Sequence, residues 1–264
     1  MYDAGSILLI HETAVIDPSA RIGRNVHIGA FSVIGPDVHI GDDCVIGPHV
    51  TIEGPTRMAA GNRVYQYASI GADPQDKKYA GEETLLEIGE RNTFREFVTI
   101  NRGTVQDNGV TRIGDDNWIM AYVHIAHDCQ VGCRTVFANG ASLAGHVRVA
   151  DDVILGGFTL VHQFCRVGAH SFSSMGSAVK QDVPPFVTVA GNPAEPHGVN
   201  SEGLRRRGYS REAVQAVRRA YRVLYKQGLR LEQALEALRP MAGEHVELLP
   251  LVEFLAEEGR GIVR

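Results

Sequence analysis

The sequence has few aromatic residues and no excess of basic charge, and each shortage argues against a class of protein. Phe, Trp and Tyr together make up 7% of the 264 residues, whereas glycine contributes 29 of them. This composition favours thin, regular layers of chain over a bulky globular core. The formal net charge of −5 argues against a general nucleic-acid-binding protein, which is usually strongly basic. We therefore expect no nucleic-acid partner.

Long apolar runs and paired cysteines are also missing. No apolar run approaches the roughly 20 residues that cross a bilayer. No cluster of Lys or Arg precedes the short apolar patch from Ile7 to Ile10, whereas a secretory signal has such a cluster before its apolar segment. The 4 cysteines form no CxxC pair and fit a reducing compartment. We expect a soluble, cytoplasmic protein without a membrane span.

An aliphatic residue recurs at every sixth position over most of the chain. This period differs from the 3.6 of a helix and is typical of a hexapeptide parallel β-helix, in which three hexads make one coil of about 18 residues. A second column of small or β-branched residues, including Cys44, stands two positions earlier. Glycine often follows the aliphatic residue, which we interpret as a corner with unusual backbone angles. The aliphatic positions are Ile10, Ile16, Ile22, Ile28, Ile34, Ile40, Ile46, Ile52, Met58, Val64 and Ile70, then Ile88, Phe94 and Ile100, and, after a slip of one residue, Ile113 to Val179 with only Ser173 polar.

Two segments interrupt the repeat and are predicted to be loops extruded from the β-helix. Residues 72–87 place Asp76 and Glu82 where the repeat requires apolar residues, and residues 101–112 contain the slip. Insertions in a solenoid gather on one face and often bind ligands. Both loops are therefore candidates for a binding site.

The hexad pattern ends near residue 182, where two prolines follow, and a helical pattern takes over from Ser210. We predict a β-helix domain over residues 1–190 and a C-terminal α-helical domain over 191–264. The expected helices run from Ser210 to Gly228, with shorter ones around 231–238 and 246–257.

Charge divides along the same boundary. Residues 1–200 have a net charge of −8, and residues 201–264 have a net charge of +3. The basic excess lies in residues 201–230. Such a cluster is either a solvated helix face or a docking site for an acidic partner or a phosphate.

The densest polar motif is His124-Ile125-Ala126-His127-Asp128. Because Ile125 falls on the inward register, both histidines are expected outside the coil. Three interpretations remain open: a zinc site, although spacing fixes no third ligand; solvated surface histidines; or a general base oriented by its neighbouring carboxylate. His146 and His162 follow at intervals close to one coil, so these imidazoles are expected to rise along one edge.

Several motifs together resemble one family, the acyl-carrier-protein-dependent UDP-N-acetylglucosamine O-acyltransferases that begin lipid A biosynthesis. The resemblance covers essentially the whole chain. Its motifs are Gln75-Asp76-x-Lys78-Tyr79-Ala80-Gly81-Glu82, His124 to Cys129, Leu143-Ala144-Gly145-His146, Val161-His162-Gln163-Phe164-Cys165, Gln181-Asp182-Val183-Pro184-Pro185 and Gly203-Leu204-x-Arg206-Arg207-Gly208.

The resemblance implies a fold, an assembly and a reaction. The fold is a left-handed parallel β-helix with C-terminal helices, and the assembly is a homotrimer. The reaction moves an (R)-3-hydroxyacyl group from acyl carrier protein to the 3-hydroxyl of UDP-N-acetylglucosamine. No metal and no resident cofactor are implied, since the carrier protein brings its own phosphopantetheine.

The resemblance also implies roles for individual residues. His127 is the general base, Asp128 orients it, and the Gly145 N–H stabilises the oxyanion, without a covalent acyl-enzyme. Met175 lies where the family measures acyl length, and we hypothesise a preference for shorter chains. Asn101 stands where members usually have His. The implied substrate-binding residues are Gln75, Asp76, Lys78, His124, His146, His162, Gln163, Asn200, Glu202 and Arg206, and the basic helix from Arg211 to Arg230 is expected to face the carrier protein.

Three alternatives come from other classes: a zinc-dependent hexapeptide enzyme such as a γ-class carbonic anhydrase, a non-catalytic scaffold, and another acyltransferase. A scaffold has little need for the 72–87 loop, the histidine motif and a basic helix together. The related N-acyltransferases carry an additional N-terminal uridine-binding domain, whereas the repeat here begins by Ile10.

Overall fold

A computed structural model describes residues 10–264 of the chain, so the predicted part of the β-helix over residues 1–9 lies outside the described residues. The predicted left-handed parallel β-helix with C-terminal helices is confirmed. Most aliphatic positions end a short strand, and equivalent residues of successive coils pair in parallel, as Val15 does with Val33. The three faces of the resulting prism are three sheets.

The strands alternate among these sheets in chain order. The first sheet contains β1 (Val15–Ile16), β4 (Val33–Ile34), β7 (Thr51–Ile52), β10 (Ser69–Ala72), β13 (Thr99–Asn101), β16 (His124–Ile125), β19 (Ser142–Leu143), β22 (Leu160–Val161) and β25 (Ala178–Val179). The second contains β2 (Arg21–Ile22), β5 (Val38–Ile40), β8 (Thr56–Met58), β11 (Leu85–Ile88), β14 (Val110–Ile113), β17 (Gln130–Val131), β20 (Arg148–Val149) and β23 (Arg166–Val167). The third contains β3 (His27–Ile28), β6 (Val45–Ile46), β9 (Arg63–Val64), β12 (Thr93–Phe94), β15 (Trp118–Ile119), β18 (Val136–Phe137), β21 (Ile154–Leu155), β24 (Phe172–Ser173), β26 (Val187–Ala190) and β27 (Glu195–Val199).

The interior of the prism is filled by the predicted aliphatic column. Ile100, Ile125 and Leu143 stack in register on successive coils, and all three are fully buried. Ser173, the polar exception, is buried as well, and its hydroxyl lies 2.8 Å from Thr159 Oγ1. The exception is tolerated because a buried hydroxyl with a partner avoids most of the desolvation penalty.

Among the glycines that follow an aliphatic residue, Gly71 has the expected unusual backbone angle, with a φ of 78°, whereas others serve a different purpose. Gly29 and Gly41 do not have positive φ angles; the left-handed positions are Phe31 and Asp43, two residues further on. A Cβ on Gly29 would lie 2.5 Å from Pro48 N, and one on Gly41 would lie 2.7 Å from the carbonyl carbon of Ala59. These glycines are needed because the next coil passes too close for a side chain.

Both interruptions are loops, but each is shorter than predicted. Residue Ser69 pairs with Thr99 across the first insertion, and Thr99 pairs with His124 across the second. Strand β11 begins at Leu85 and β14 begins at Val110, so the loops cover residues 73–84 and 102–109. The C-terminal ends of both predicted segments belong to strands of the second sheet. Their side chains point alternately inward and outward, and the strands pair with neighbouring coils.

The C-terminal region contains α1 (Ser201–Arg206), α2 (Arg211–Lys226), α3 (Leu231–Glu244), a 3-10 turn (Val246–Leu248) and α4 (Leu249–Ala256). Ser210 caps α2 as predicted, because its hydroxyl accepts a hydrogen bond of 3.1 Å from Ala213 N. Three features differ from the sequence prediction: α3 continues past residue 238, α1 was not foreseen, and β27 lies within the segment predicted to be helical. Strand β27 forms because it can pair antiparallel with β26. None of the helices among residues 10–264 has the length and apolar character that a membrane span requires.

Candidate active site

The polar motifs meet along the edge where the first sheet turns into the second, which we call the histidine edge. His127 and Asp128 lie in the turn after β16, Gly145 and His146 in the turn after β19, and His162 in the turn after β22. The 73–84 and 102–109 loops leave the same edge, after β10 and β13. The predicted rise of imidazoles along one edge is therefore confirmed, and the loops flank it.

His127 is held by the side chain that follows it. Its Nδ1 lies 2.8 Å from Asp128 Oδ2, and the His127 side chain is 14% exposed. The His127 ring meets the His146 ring edge to face, with centroids 5.0 Å apart and an interplanar angle of 89°. The ring is thus fixed in orientation while one side remains open to solvent.

Asp128 is buried and fully bonded. Its Oδ1 accepts a hydrogen bond of 2.8 Å from Thr104 N, and its Oδ2 accepts one of 2.6 Å from Thr104 Oγ1. Burial acts to raise the pKa of Asp128, but the hydrogen bonds from His127 and Thr104 outweigh it and bring this pKa below its ordinary value. The carboxylate is ionised at neutral pH, so the proton between the two groups belongs to His127 Nδ1.

Three imidazoles on the histidine edge and that of His124, on the neighbouring strand β16, share one arrangement, in which Nδ1 is bonded and Nε2 is not. The Nδ1 partners are Thr99 Oγ1 at 2.8 Å for His124, Asp128 for His127, Asp107 Oδ2 at 2.9 Å for His146 and the Gln163 carbonyl at 3.1 Å for His162. Within residues 10–264, no group bonds to any of the four Nε2 atoms. The edge and this strand therefore present four oriented ring nitrogens to a ligand.

Gly145 lies directly beneath the His127 ring. A Cβ at this position would stand 2.5 Å from His127 Cε1 and 2.7 Å from Nε2. The glycine is buried, and its N–H has no acceptor among residues 10–264. A free backbone donor beside an unpaired Nε2 is the pairing that acyl transfer requires, with a base for the nucleophile and a donor for the oxyanion.

Two histidines are expected to make stability depend on pH. Burial lowers the pKa of His124, and the nearby His127 lowers it further; burial also lowers the pKa of His170. The unfolded chain therefore binds more protons than the folded one below about pH 6.5, so stability is lost as pH falls through that range. We expect a lower Tm at pH 5.5 than at pH 7.5, and a smaller drop for His170→Gln, measured by calorimetry. An unchanged Tm would contradict this.

The contacts of His127, Asp128 and His146 do not favour a metal site. His127, Asp128 and His146 do offer ligand atoms that all lie within 4.8 Å of one another. However, the Asp128 oxygens already accept hydrogen bonds from Thr104 and His127, and both imidazole Nδ1 atoms are bonded to carboxylates. These groups form a hydrogen-bonded network, and the absence of a metal stays our prediction.

The substrate-binding residues predicted in the 73–84 loop lie beside the histidine edge without bonding to it. Gln75 and Lys78 are exposed, and Asp76 Oδ1 accepts a hydrogen bond of 3.0 Å from Lys78 N, which shapes the turn. Arg102 is buried and anchors the loop, donating to the Gly71 carbonyl, to Asp73 and, over 3.2 Å, to Tyr79 Oη. No hydrogen bond among residues 10–264 joins the Lys78 side chain to an imidazole.

Asn101, which stands where the resembling family usually has His, has a structural bond of its own. Its Nδ2 donates to the Asp73 carbonyl over 2.8 Å, while its Oδ1 is buried without a partner among the described residues. The side chain therefore helps to hold the start of the 73–84 loop against β13.

Three of the predicted substrate-binding residues, Asn200, Glu202 and Arg206, lie in α1 or next to it, away from the imidazoles. Asn200 caps this helix: its Oδ1 accepts a hydrogen bond of 3.1 Å from Gly203 N. Glu202 forms ion pairs with Arg205 at 2.5 Å and with Arg206 at 3.2 Å. Within the described part of one chain, none of these groups contacts the histidine edge through a hydrogen bond. Gln163, by contrast, is exposed on that edge.

Met175 lies on a different edge of the prism, in the turn between β24 and β25. Its side chain is 78% exposed. The first sheet separates this edge from the histidine edge, and beyond His124 its outward side chains are small or apolar, as at Ser142, Leu160 and Ala178. An apolar ligand that extends from His127 to Met175 would cross this face of the first sheet.

Two cavities lie near the second sheet. One of about 450 Å³ borders the histidine edge, where Asp107, Asp128, His146 and Phe164 face the C-terminal segment 257–260. A larger one, of about 650 Å³, runs along the second sheet and contains none of the four imidazoles. The smaller cavity therefore adjoins the histidine edge through Asp128 and His146, and neither His127 nor Gly145 lines it.

Sequence reasoning did not identify Thr99, Thr104 or Asp107, the side chains that bond to His124, Asp128 and His146. Thr99 is visible as the outward residue one coil before His124. Thr104 and Asp107 lie in an insertion, where the hexad repeat assigns no direction to a side chain.

The coils, the extruded loops and the row of imidazoles define a hexapeptide-repeat transferase. In agreement, a family model described as bacterial transferase hexapeptide (six repeats) matches residues 19–54 and 111–145. A second model, described as UDP-N-acetylglucosamine O-acyltransferase, domain 2, matches residues 182–263.

Whole-length relatives identify the family. The chain is 59% identical over 255 residues to the acyl-[acyl-carrier-protein]–UDP-N-acetylglucosamine O-acyltransferase of Thiobacillus denitrificans, covering 97% of this chain and 99% of that protein. Among solved structures, the UDP-N-acetylglucosamine acyltransferase of Francisella novicida has a TM-score of 0.95 at 42% identity, covering 98% of this chain and 94% of its own. LpxA from Acinetobacter baumannii has a TM-score of 0.95 at 45% identity, covering 97% and 100%. The chain belongs to the UDP-N-acetylglucosamine O-acyltransferase family.

Proposed function

We propose that this protein transfers an (R)-3-hydroxyacyl group from acyl carrier protein to the 3-hydroxyl of UDP-N-acetylglucosamine, the first step of lipid A biosynthesis. The observation that carries the proposal is the His127 ring, whose Nδ1 is bonded to a buried carboxylate and whose unpaired Nε2 lies close to Gly145, a residue whose N–H has no described acceptor. The names of the relatives supply the two substrates.

The proposed mechanism uses His127 as a general base. Its Nε2 takes the proton of the sugar 3-hydroxyl while the hydroxyl oxygen attacks the thioester carbon. The Gly145 N–H stabilises the oxyanion of the tetrahedral intermediate. When the carbon–sulfur bond breaks, the protonated His127 returns its proton to the phosphopantetheine sulfur. The protein needs no resident cofactor for these steps.

No covalent acyl-enzyme is part of this proposal. Burial raises the pKa of Cys129 to about 12 and that of Cys165 to about 11, so neither supplies a thiolate at neutral pH. All 4 cysteines are free, which also suits the reducing cytoplasm where we place the reaction.

The substrates are tested together in one assay. UDP-N-acetylglucosamine is incubated with 3-hydroxyacyl carrier proteins of graded length, and the product is identified by mass. The proposal expects one acyl group on the sugar 3-hydroxyl and free carrier-protein thiol in equal amount. Absence of product with every acyl length would reject it.

We propose that the working unit is a homotrimer. A base on the outside of a prism needs a second wall to exclude water, and the described chain brings neither Lys78 nor Arg206 to His127. The exposed apolar residues Val33 and Leu160 on the first sheet suit contact with another copy. Light scattering should give three times the 28.7 kDa chain mass.

We propose that α2 docks the acidic carrier protein. Arg211, Arg218, Arg219 and Arg222 are all exposed on this helix. Opposite charges accelerate such an encounter and make it sensitive to salt.

Met175 is expected to limit acyl length. If its side chain occupies the end of the acyl path, wild-type protein should prefer 3-hydroxyacyl chains shorter than about 14 carbons, and Met175→Gly should shift the preference to longer ones by removing side-chain volume. Competition among carrier proteins of graded length measures both. A wild-type preference for the longest chains, or an unchanged preference in the variant, would reject this role.

A further inference from the structure

The 102–109 loop contacts two different groups of the histidine edge. Thr104 bonds to Asp128 through both its backbone N–H and its hydroxyl. The Thr104 carbonyl accepts hydrogen bonds from Asp107 N at 3.3 Å and from Gly109 N at 3.0 Å, which folds the loop into a compact turn. This turn brings the Asp107 carboxylate to His146.

The orientation of the His146 ring depends on that carboxylate. Phe164 stacks on the ring with centroids 4.4 Å apart and an interplanar angle of 10°, which fixes the plane. A half-turn about the Cβ–Cγ bond would exchange Nδ1 with Cδ2, return the ring to the same plane and leave the stacking intact. The bond of 2.9 Å to Asp107 Oδ2 distinguishes the two states, since Asp128 Oδ2 lies 3.8 Å from Nδ1, beyond hydrogen-bond range.

Asp107 is itself held in place. Asn108 Nδ2 donates to Asp107 Oδ1 over 2.8 Å, so the two carboxylate oxygens have separate partners. An ionised carboxylate accepts but does not donate hydrogen bonds. It therefore selects the His146 tautomer that carries its proton on Nδ1 and leaves Nε2 as an acceptor in the neutral ring.

We propose that Asp107 is a positioning residue for the reaction. It fixes the orientation and tautomer of the His146 ring, which meets the His127 ring edge to face, and so leaves Nε2 as the acceptor of the neutral His146 ring. The same loop thereby orients both imidazoles, His127 through Thr104 and Asp128, and His146 through Asp107. The catalytic part of this inference rests on the proposed acyl transfer, whereas the tautomer does not.

The test combines NMR with kinetics on full-length protein. Nitrogen-15 spectra of labelled histidine, assigned with a His146 variant, should show an Nδ1–H tautomer for His146 in the wild type. Asp107→Ala should lose it and lower kcat about tenfold, the scale expected for a modestly misplaced polar group. Asp107→Glu should recover much of both, because it keeps the carboxylate.

Gln106→Ala is the matched control, since Gln106 is exposed in the same loop and its side chain bonds to no described residue. It should keep both the tautomer and kcat. An unchanged His146 tautomer in Asp107→Ala, a changed tautomer with kcat within twofold of wild type, or an equal loss in Gln106→Ala would each overturn the proposal. If wild-type protein makes no product, the proposed function fails, and the NMR comparison alone decides whether Asp107 orients His146.

Discussion

Replacing His127 with alanine is expected to lower kcat by about 10³-fold or more while leaving the fold and the proposed trimer intact. Among the described imidazoles, only the His127 ring has its Nδ1 hydrogen-bonded to the buried Asp128 carboxylate, and its Nε2 is unpaired. General-base catalysis by a positioned side chain contributes roughly 10²–10⁴-fold, and without a base the sugar hydroxyl keeps its proton during attack. Steady-state kinetics at saturating substrates measures the loss.

The control for His127→Ala is His11→Ala, which removes an exposed histidine from the first described coil. That variant should retain wild-type kcat. Circular dichroism and light scattering of both variants separate a chemical loss from unfolding or dissociation. Near wild-type turnover by a folded His127→Ala trimer would place the base elsewhere.

Replacing Gly145 with alanine is expected to lower kcat by about 10²-fold or more. The added Cβ would stand 2.5 Å from His127 Cε1, so the ring must move. The ring can move only by stretching its bond to Asp128, which Thr104 holds from the other side. Misplacement of a reacting group by about 1 Å costs roughly 10²-fold, and the proposed oxyanion donor on Gly145 shifts with the ring.

Gly35→Ala provides a matched control for this change. Gly35 lies in a turn of the same histidine edge, and a Cβ there would make only ordinary contact, 3.4 Å from the Ile52 carbonyl oxygen. Its kcat should equal that of the wild type. A Gly145→Ala variant that turns over within about threefold of wild type would show that the ring has room to adjust.

The hexad repeat made the fold predictable, for a simple reason. Each coil contacts only its neighbours, so one inward residue every sixth position is enough to specify the stack. The register of Ile100, Ile125 and Leu143 follows directly from that spacing. The same spacing placed His127, His146 and His162 on one edge, because outward residues one coil apart lie above one another.

Side-chain directions could not be predicted where loops interrupt the hexad repeat. In the 102–109 loop no period assigns a direction to Thr104 or Asp107, and their bonds to Asp128 and His146 depend on how the loop folds back. The prediction that glycines such as Gly29 have unusual backbone angles was wrong for a related reason. The distance to the neighbouring coil is a property of the stack, and it cannot be read from one hexad.

Residue spacing is therefore sufficient to predict the coil, the edge and the histidines on it, since these follow from a period that local packing enforces. It does not predict which nitrogen of each ring is free, which carboxylate orients the ring or how closely Gly145 lies beneath His127. Those features depend on contacts between coils and loops that are distant along the chain. Hydrogen-bond geometry at that scale is set by fractions of an ångström, which residue spacing does not encode.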